Sequence, residues 1–240
     1  MASRRPTLAM VLAAAGYGTR LSSGLPKQYV PLLGIPMLQR TMTTISSCPE
    51  VDAMLVVVNV EDVEYCDNEI RLEHIGKVLR VVAGDEKRPF SVQNGLRALA
   101  ELGDWDLVGV HDGARPLVTR AELRRVLAAL EADPTLDGAI PALPSIDTVK
   151  VVGDDGLITS TPQRSRLFCA QTPQIFRRQV IMDAYAQPDS VVAEATDDSS
   201  LVELRGGRVA VVEGSPENFK ITERMDLRRA EQVLAERRYD

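Results

Sequence analysis

Two histidines and three cysteines in 240 residues leave little material for soft-ligand metal chemistry. Cys48, Cys66 and Cys169 are scattered, odd in number and form no Cys-x-x-Cys pair. That pattern argues against a disulfide framework or a thiolate–imidazole zinc site, and for a reducing compartment. No apolar run approaches the roughly 20 residues of a membrane-spanning helix. Positive charge is not in excess: the formal net charge of -6 argues against nonspecific nucleic-acid binding. Repeats, low-complexity tracts and linkers are missing too, so one domain over residues 1–240 is expected. At 45% hydrophobic and 26% charged residues, the chain suits an α/β domain with a substantial core. Arg4-Arg5 ahead of Leu8 to Ala15 superficially mimics a signal peptide. Cleavage after the alanines would cut a glycine loop, however, and the apolar run serves well as a first core strand. A cytoplasmic protein without a membrane partner is the expectation.

The stretch from Leu8 to Lys27 reads LAMVLAAAGYGTRLSSGLPK. Leu8 to Ala14 is long enough for one buried strand. It runs into Ala15-Gly16-Tyr17-Gly18-Thr19-Arg20, then a small-residue turn, then Pro26-Lys27. Small residues at a strand's C-terminal end let backbone N–H groups approach an anion. Arg20 and Lys27 add two cations, which suits charge stabilisation during phosphoryl chemistry. A dinucleotide fingerprint would need a third glycine opening a helix, and a Walker A loop would need Gly-Lys-Ser/Thr together; neither is present. Taken alone, the stretch also fits a tight strand-to-helix turn with surface cations.

Downstream, the pattern alternates. A helix is expected over Met37 to Ser47, a strand over Ala53 to Val60 and a helix over Glu61 to Glu73. A strand follows at Val78 to Val82, then a helix capped by Ser91, and a strand from Leu107 to His111. Thr119 and Glu122 form a capping box for the next helix. Strand and helix thus alternate in the manner of a doubly wound, mainly parallel sheet. Between about 142 and 170 the regularity fails, and short β-like pieces around Gly153-Asp154-Asp155-Gly156 predict a protruding β-hairpin arm. Helices are then expected over Arg177 to Tyr185 and Asp197 to Glu203, a strand over Arg208 to Val212, and a last helix capped by Thr222.

Open α/β sheets bind ligands at the carboxyl ends of their strands. Four polar clusters fall there: the first loop, Gly84 to Ser91, His111 to Arg115, and the chain after Val212. Asp112 suits a ribose hydroxyl, a metal ion or the cap of the next turn. Arg115, before Pro116, is a rigidly presented cation suited to a phosphate. His111 reads as a packed, hydrogen-bonded strand-end residue rather than a base.

Six segments appear in order: Leu12 to Arg20 with Pro26-Lys27-Gln28-Tyr29, His111 to Pro116, Asp147 to Lys150, Gln171-Thr172-Pro173-Gln174, Thr196 to Leu201, and Asn218 to Thr222. Together they resemble the 2-C-methyl-D-erythritol 4-phosphate cytidylyltransferase family of the non-mevalonate isoprenoid pathway. The resemblance implies a Rossmann-like nucleotidyltransferase fold and transfer of a cytidylyl group from CTP to the polyol phosphate, with release of pyrophosphate. It places CTP over Ala14, Ala15, Gly16 and Gly18, with Arg20 and Lys27 on the phosphates. Gly84, Arg88 and Ser91 fall on the cytosine-reading segment, and Asp112 on the ribose contact. Arg115, Thr148, Arg164, Thr172 and Lys220 match the acceptor-holding positions. Arg20, Lys27, Arg164 and Lys220 are the implied catalytic cations. Magnesium is the implied cofactor, held mainly by the triphosphate, with Asp112 the candidate protein ligand. The arm implies a homodimer in which Arg164 reaches the neighbouring site. Asp85 stands where a second glycine is usual, Phe90 where an aspartate is common, and Gly113 where alanine is usual.

The chemistry agrees. A phosphate monoester is largely dianionic at neutral pH, its second pKa being about 6, so it can attack the α-phosphate without a general base or an enzyme nucleophile. The sequence leaves two other readings open: a cytidylyltransferase for another polyol phosphate such as ribitol 5-phosphate, and a non-catalytic nucleotide-binding regulator.

Overall fold

A computed structural model describes residues 4–16, 25–70 and 75–237; Gly18 and Arg20 lie outside them. In chain order come β1 (Leu8–Ala13), the small antiparallel pair β2 (Pro31–Leu32) and β3 (Ile35–Pro36), α1 (Met37–Ser47), β4 (Ala53–Val58) and α2 (Val63–Tyr65). Next are β5 (Val78–Ala83), α3 (Arg88–Ala100), β6 (Leu107–Asp112), α4 (Arg120–Ala132) and β7 (Gly138–Pro144). The arm holds β8 (Val151–Val152) and β9 (Ile158–Ser160), and β10 (Phe168–Ala170) returns from it. The chain closes with β11 (Gln174–Arg177), α5 (Arg178–Tyr185), α6 (Asp189–Val192), α7 (Asp198–Leu204), β12 (Val209–Glu213) and α8 (Arg224–Glu236).

The central order is β5-β4-β1-β6-β11-β7, with the first four strands parallel. β11 runs antiparallel to both β6 and β7. β7 pairs with β12 in parallel along one edge, and with β11 and then β10 along the other. The sheet is therefore mixed around a parallel centre.

Strand alternation makes the fold doubly wound. Leu8, Met10 and Leu12 face one way and pack with Leu38, Met42 and Ile45 of α1 and Leu123, Val126 and Leu130 of α4. Ala9 and Val11 face the other way, towards Val92, Leu96 and Leu99 of α3 and Ile181 and Ala184 of α5. Each large side chain buried in these two layers contributes roughly 1.5–3 kcal/mol. A third cluster of Leu32, Met37, Leu117, Ile221 and Ala230 seats α8.

Some local expectations are corrected. The helix expected over Glu61 to Glu73 is instead a 3-10 turn at Val60–Asp62, one turn of α2 and a π-turn at Cys66–Ile70; 71–74 lie outside the described residues. α3 starts at Arg88, not after Ser91, because Pro89 in its first turn has no N–H to satisfy and its ring presets the helical φ. The Thr119–Glu122 capping box is present. The last helix is capped by Glu223 rather than Thr222, whose N–H and hydroxyl both donate to Asp226.

Candidate active site

The carboxyl ends of the parallel strands converge on one cleft. Ala13, Ala14, Ala15 and Gly16 line it from β1, Lys27 and Gln28 from the next segment, Asp85, Glu86, Arg88 and Ser91 from the β5–α3 connection, Asp112, Gly113 and Ala114 from β6, and Lys220 from the chain after β12. All four strand-end clusters expected from the sequence are thus represented in a single concavity.

The floor of the cleft is tied down by backbone. Ala14 N–H donates to Val57, Gly113 N–H to Ala13 and Gly84 N–H to Val58, at 2.7–2.9 Å. Gly84 is needed for space: a Cβ there would meet the Ala15 methyl, and would lie 2.8 Å from Ser91 Oγ and 3.0 Å from Val57. Ser91 is not a helix cap. Its Oγ accepts from Asp85 N–H at 2.8 Å and donates to Asp85 C=O at 2.9 Å, closing the loop that carries Asp85 and Glu86. Both of those carboxylates are exposed at the rim.

Asp112 is the electrostatic hub. Arg88 Nε donates to its Oδ1 at 2.9 Å, Lys220 Nζ lies 2.9 Å from Oδ2, and Arg115 Nε lies 3.7 Å from Oδ2. Burial opposes ionisation of this carboxyl, but the three cations outweigh it and hold the group well below the usual carboxylate range. Arg115 is mostly buried: one guanidinium nitrogen donates to Asn218 C=O at 2.7 Å and the other to Ala170 C=O at 3.5 Å. It therefore ties the β6 turn to the Lys220 loop and the base of the arm.

His111 is fully buried and packed, as its position suggested. Burial pushes its imidazole down to about 4. Nε2 lies 3.1 Å from Arg115 C=O and Nδ1 2.9 Å from Thr172 Oγ1. With the carbonyl able only to accept, Nε2 carries the proton, and Thr172 donates to Nδ1. Thr172 Oγ1 in turn accepts from Asp112 N–H at 3.1 Å. The Thr172 hydroxyl proton is thus spent inside the protein.

Lys220 sits in an irregular stretch, and side chains hold that stretch in place. Gln171 Nε2 donates to Ser215 C=O at 2.8 Å and Asn218 C=O at 3.2 Å, while its Oε1 accepts from Ser215 N–H at 3.0 Å. Asn218 Nδ2 donates to Thr172 C=O at 2.8 Å, and Ile221 N–H to Ala114 C=O at 2.9 Å. Gln174 similarly fixes α7, donating to Asp197 and accepting from Ser199 N–H. The Gln-Thr-Pro-Gln motif is a buried connector between the end of β6, the Lys220 loop and the start of α7.

A family model described as 2-C-methyl-D-erythritol 4-phosphate cytidylyltransferase matches residues 8–236. The chain belongs to this family. Proteins of that name from Geobacter metallireducens and Syntrophus aciditrophicus are 41% and 40% identical to it. The first alignment covers 95% of this chain and 97% of the relative, the second 96% and 97%. The solved structure of 4-diphosphocytidyl-2C-methyl-D-erythritol synthase from Anaerococcus prevotii superposes with a TM-score of 0.80 at 31% identity, covering 96% of each chain. The Francisella tularensis 2-C-methyl-D-erythritol 4-phosphate cytidylyltransferase gives 0.79 at 30%, over 94% of this chain and 99% of that one.

Against the family pattern, the cleft of this cytidylyltransferase family member brings together Ala14, Ala15, Gly16, Lys27, Arg88, Ser91, Asp112 and Lys220, with Gly84 directly beneath. Gly18 and Arg20 fall outside the described residues. Thr148 and Arg164 are exposed on the arm and do not line the cleft of this chain; Arg164 donates to Ile146 C=O at 3.1 Å. Among the described residues no group of three or more histidines, cysteines and carboxylates could hold a metal ion. Both Asp112 oxygens already face cations, so the described residues present no dedicated metal cage. Nor is any helix among the described residues long and apolar enough to cross a membrane.

Asp198 was not among the residues the sequence singled out: it is fully buried against Arg88, while Asp197 caps α7, accepting from Ser200 N–H. Two adjacent aspartates at a helix start gave no sign of which would turn inward.

Proposed function

We propose that this chain transfers the cytidylyl group of CTP to 2-C-methyl-D-erythritol 4-phosphate, releasing pyrophosphate and forming 4-diphosphocytidyl-2-C-methyl-D-erythritol. The observation that carries the reading is the convergence of Ala14, Ala15, Gly16, Lys27, Asp112 and Lys220 on one cleft of a chain in this family. The base lies over the Gly84–Ser91 connection, the ribose against Asp112, and the triphosphate over Ala14 to Gly18 with Arg20 and Lys27. Magnesium would be held mainly by the triphosphate oxygens and by water, and would offset the charge of the triphosphate. The acceptor phosphate attacks the α-phosphorus in line, and the pyrophosphate leaves opposite. Bringing two polyanions together is the main barrier, and fixed cations lower it.

Lys220 serves the acceptor. Arg164, with Thr148, serves it from the neighbouring subunit of a homodimer built through the arm, which leaves Ile146, Leu157, Ile158 and Phe168 exposed in the single chain. Arg115 and Thr172 act here mainly by fixing the Asp112 turn, since the Arg115 terminal nitrogens and the Thr172 hydroxyl are bonded within the protein.

Pyrophosphate release with CTP and magnesium, comparing methylerythritol 4-phosphate with ribitol 5-phosphate, tests the assignment. Rapid release with the first alone is expected. Release with the second alone would keep the chemistry and change the pathway, and silence with both despite CTP binding would make the chain a regulator.

A further inference from the structure

A fully buried carboxylate is costly unless donors surround it, and Asp198 is such a group. The Tyr185 hydroxyl donates to its Oδ1 at 2.5 Å. Arg88 Nη1 and Nη2 donate to Oδ1 and Oδ2 at 3.1 and 2.8 Å. Asp198 does not line the cleft, yet the same guanidinium continues to Asp112, which does. A guanidinium is planar, with its donors in a fixed fork. Seating its Nη1–Nη2 edge on Asp198 therefore fixes where Nε points, and Nε holds Asp112 Oδ1. Oδ2 is left for Lys220.

Tyr185 is itself anchored to this assembly. It ends α5, and its carbonyl accepts from Gln93 Nε2 at 2.8 Å. Gln93 lies on α3, the helix that begins with Arg88. The phenol, the two carboxylates and the guanidinium thus form one chain from the back of the domain to the cleft.

We propose that Tyr185 and Asp198 are positioning residues of the nucleotide site, acting through Arg88 to set the orientation of Asp112. The proposal rests on the reading of Asp112 as a CTP contact. Without Asp198, both terminal nitrogens of Arg88 are released. The guanidinium then turns onto Asp112 as a bidentate partner and competes with Lys220 for Oδ2.

The test is CTP affinity of the intact protein, measured by calorimetric titration, together with turnover. Asp198→Asn leaves Arg88 short of a buried counter-charge and endangers the fold. Tyr185→Phe removes one hydroxyl and is the primary variant. It is expected to weaken CTP about threefold to tenfold in folded protein, as coupled contacts of this kind do. In an Asp112→Asn background the same change should alter CTP affinity less than about twofold, because the group it acts through is gone. An equal loss in both backgrounds, or a lowered melting temperature with unchanged CTP affinity, would overturn the proposal and reduce Tyr185 to a packing role. The unsubstituted protein separates the two readings. If it does not bind CTP the functional assignment fails; if it binds and Tyr185→Phe binds equally well, only the positioning role fails.

Discussion

Lys220 Nζ lies 2.9 Å from Asp112 Oδ2, so the cation proposed for the acceptor and the carboxylate proposed for the ribose neutralise one another in the free chain. A bound phosphate has to draw Lys220 away from this partner or share it. Asp112 keeps Arg88 and Arg115 when that happens, and so remains ionised throughout. The proposed donor and acceptor halves of the site are therefore joined electrostatically through one side chain.

Lys27 lines the same cleft from the glycine-loop side. Its charge should matter most as negative charge builds on the triphosphate in the transition state. Lys27→Ala is expected to lower kcat by about 10²–10³-fold, the scale seen when one transition-state donor is removed. The melting temperature should stay close to that of the parent. Steady-state rates with both substrates saturating check this, and near-normal turnover would remove Lys27 from the chemistry.

Gly84→Ala tests the packing under the connection proposed to read the base. The added methyl meets Ala15 and Ser91 Oγ, neither of which is the end of a long flexible side chain. Destabilisation of about 1–3 kcal/mol is expected, as for overpacking elsewhere. Ser91 would also be displaced from Asp85, so CTP affinity should fall beyond what the lost stability explains. Denaturant unfolding and CTP titration of the same preparation separate the two effects.

How much of this was legible beforehand differs between the scaffold and the site. The parallel centre was readable because its strands are buried on both faces and appear as unbroken apolar runs, as in Ala53–Val58. The convergence of four strand ends followed from the same topology. β11 was not legible as an antiparallel insertion, since four residues carry no signal of direction. The Arg88–Asp198 pair spans 110 positions, and nothing local to either residue marks its partner. Arg115 and Thr172 show the same limit: residue type for the first and the family resemblance for the second suggested an acceptor contact, and neither signalled that the Arg115 terminal nitrogens bond Asn218 and Ala170 or that the Thr172 hydroxyl bonds His111.

His111 predicts a pH dependence of stability. Its imidazole is pushed down from 6.5 to about 4 by burial, so the folded chain keeps it neutral where the unfolded chain binds a proton. The associated stability is fully present above about pH 6.5 and is lost as pH falls towards 4. Between pH 7 and 5 the expected loss is about 2 kcal/mol. Urea unfolding at the two pH values measures it, and His111→Gln should abolish this part of the difference. An equal slope in that variant would place the proton uptake elsewhere.

The arm makes the sharpest prediction about assembly, because Lys27 lines the cleft of its own chain whereas Arg164 lies on an exposed arm outside it. Arg164→Ala should raise the acceptor KM while leaving CTP affinity unchanged. If Arg164 completes the neighbouring site, one subunit carrying Arg164→Ala and another carrying Lys27→Ala still assemble one intact site between them. Assayed with acceptor well below the raised KM, where each preparation alone is nearly silent, random pairing makes half of the dimers mixed, each with one working site of two, and restores about one quarter of the parent activity. Deleting Ser145 to Ser160 should abolish both the restoration and the dimer in sedimentation. Mixing that restores nothing, with dimers demonstrably exchanged, would mean that Arg164 does not reach across, and that the arm holds subunits together without sharing their chemistry.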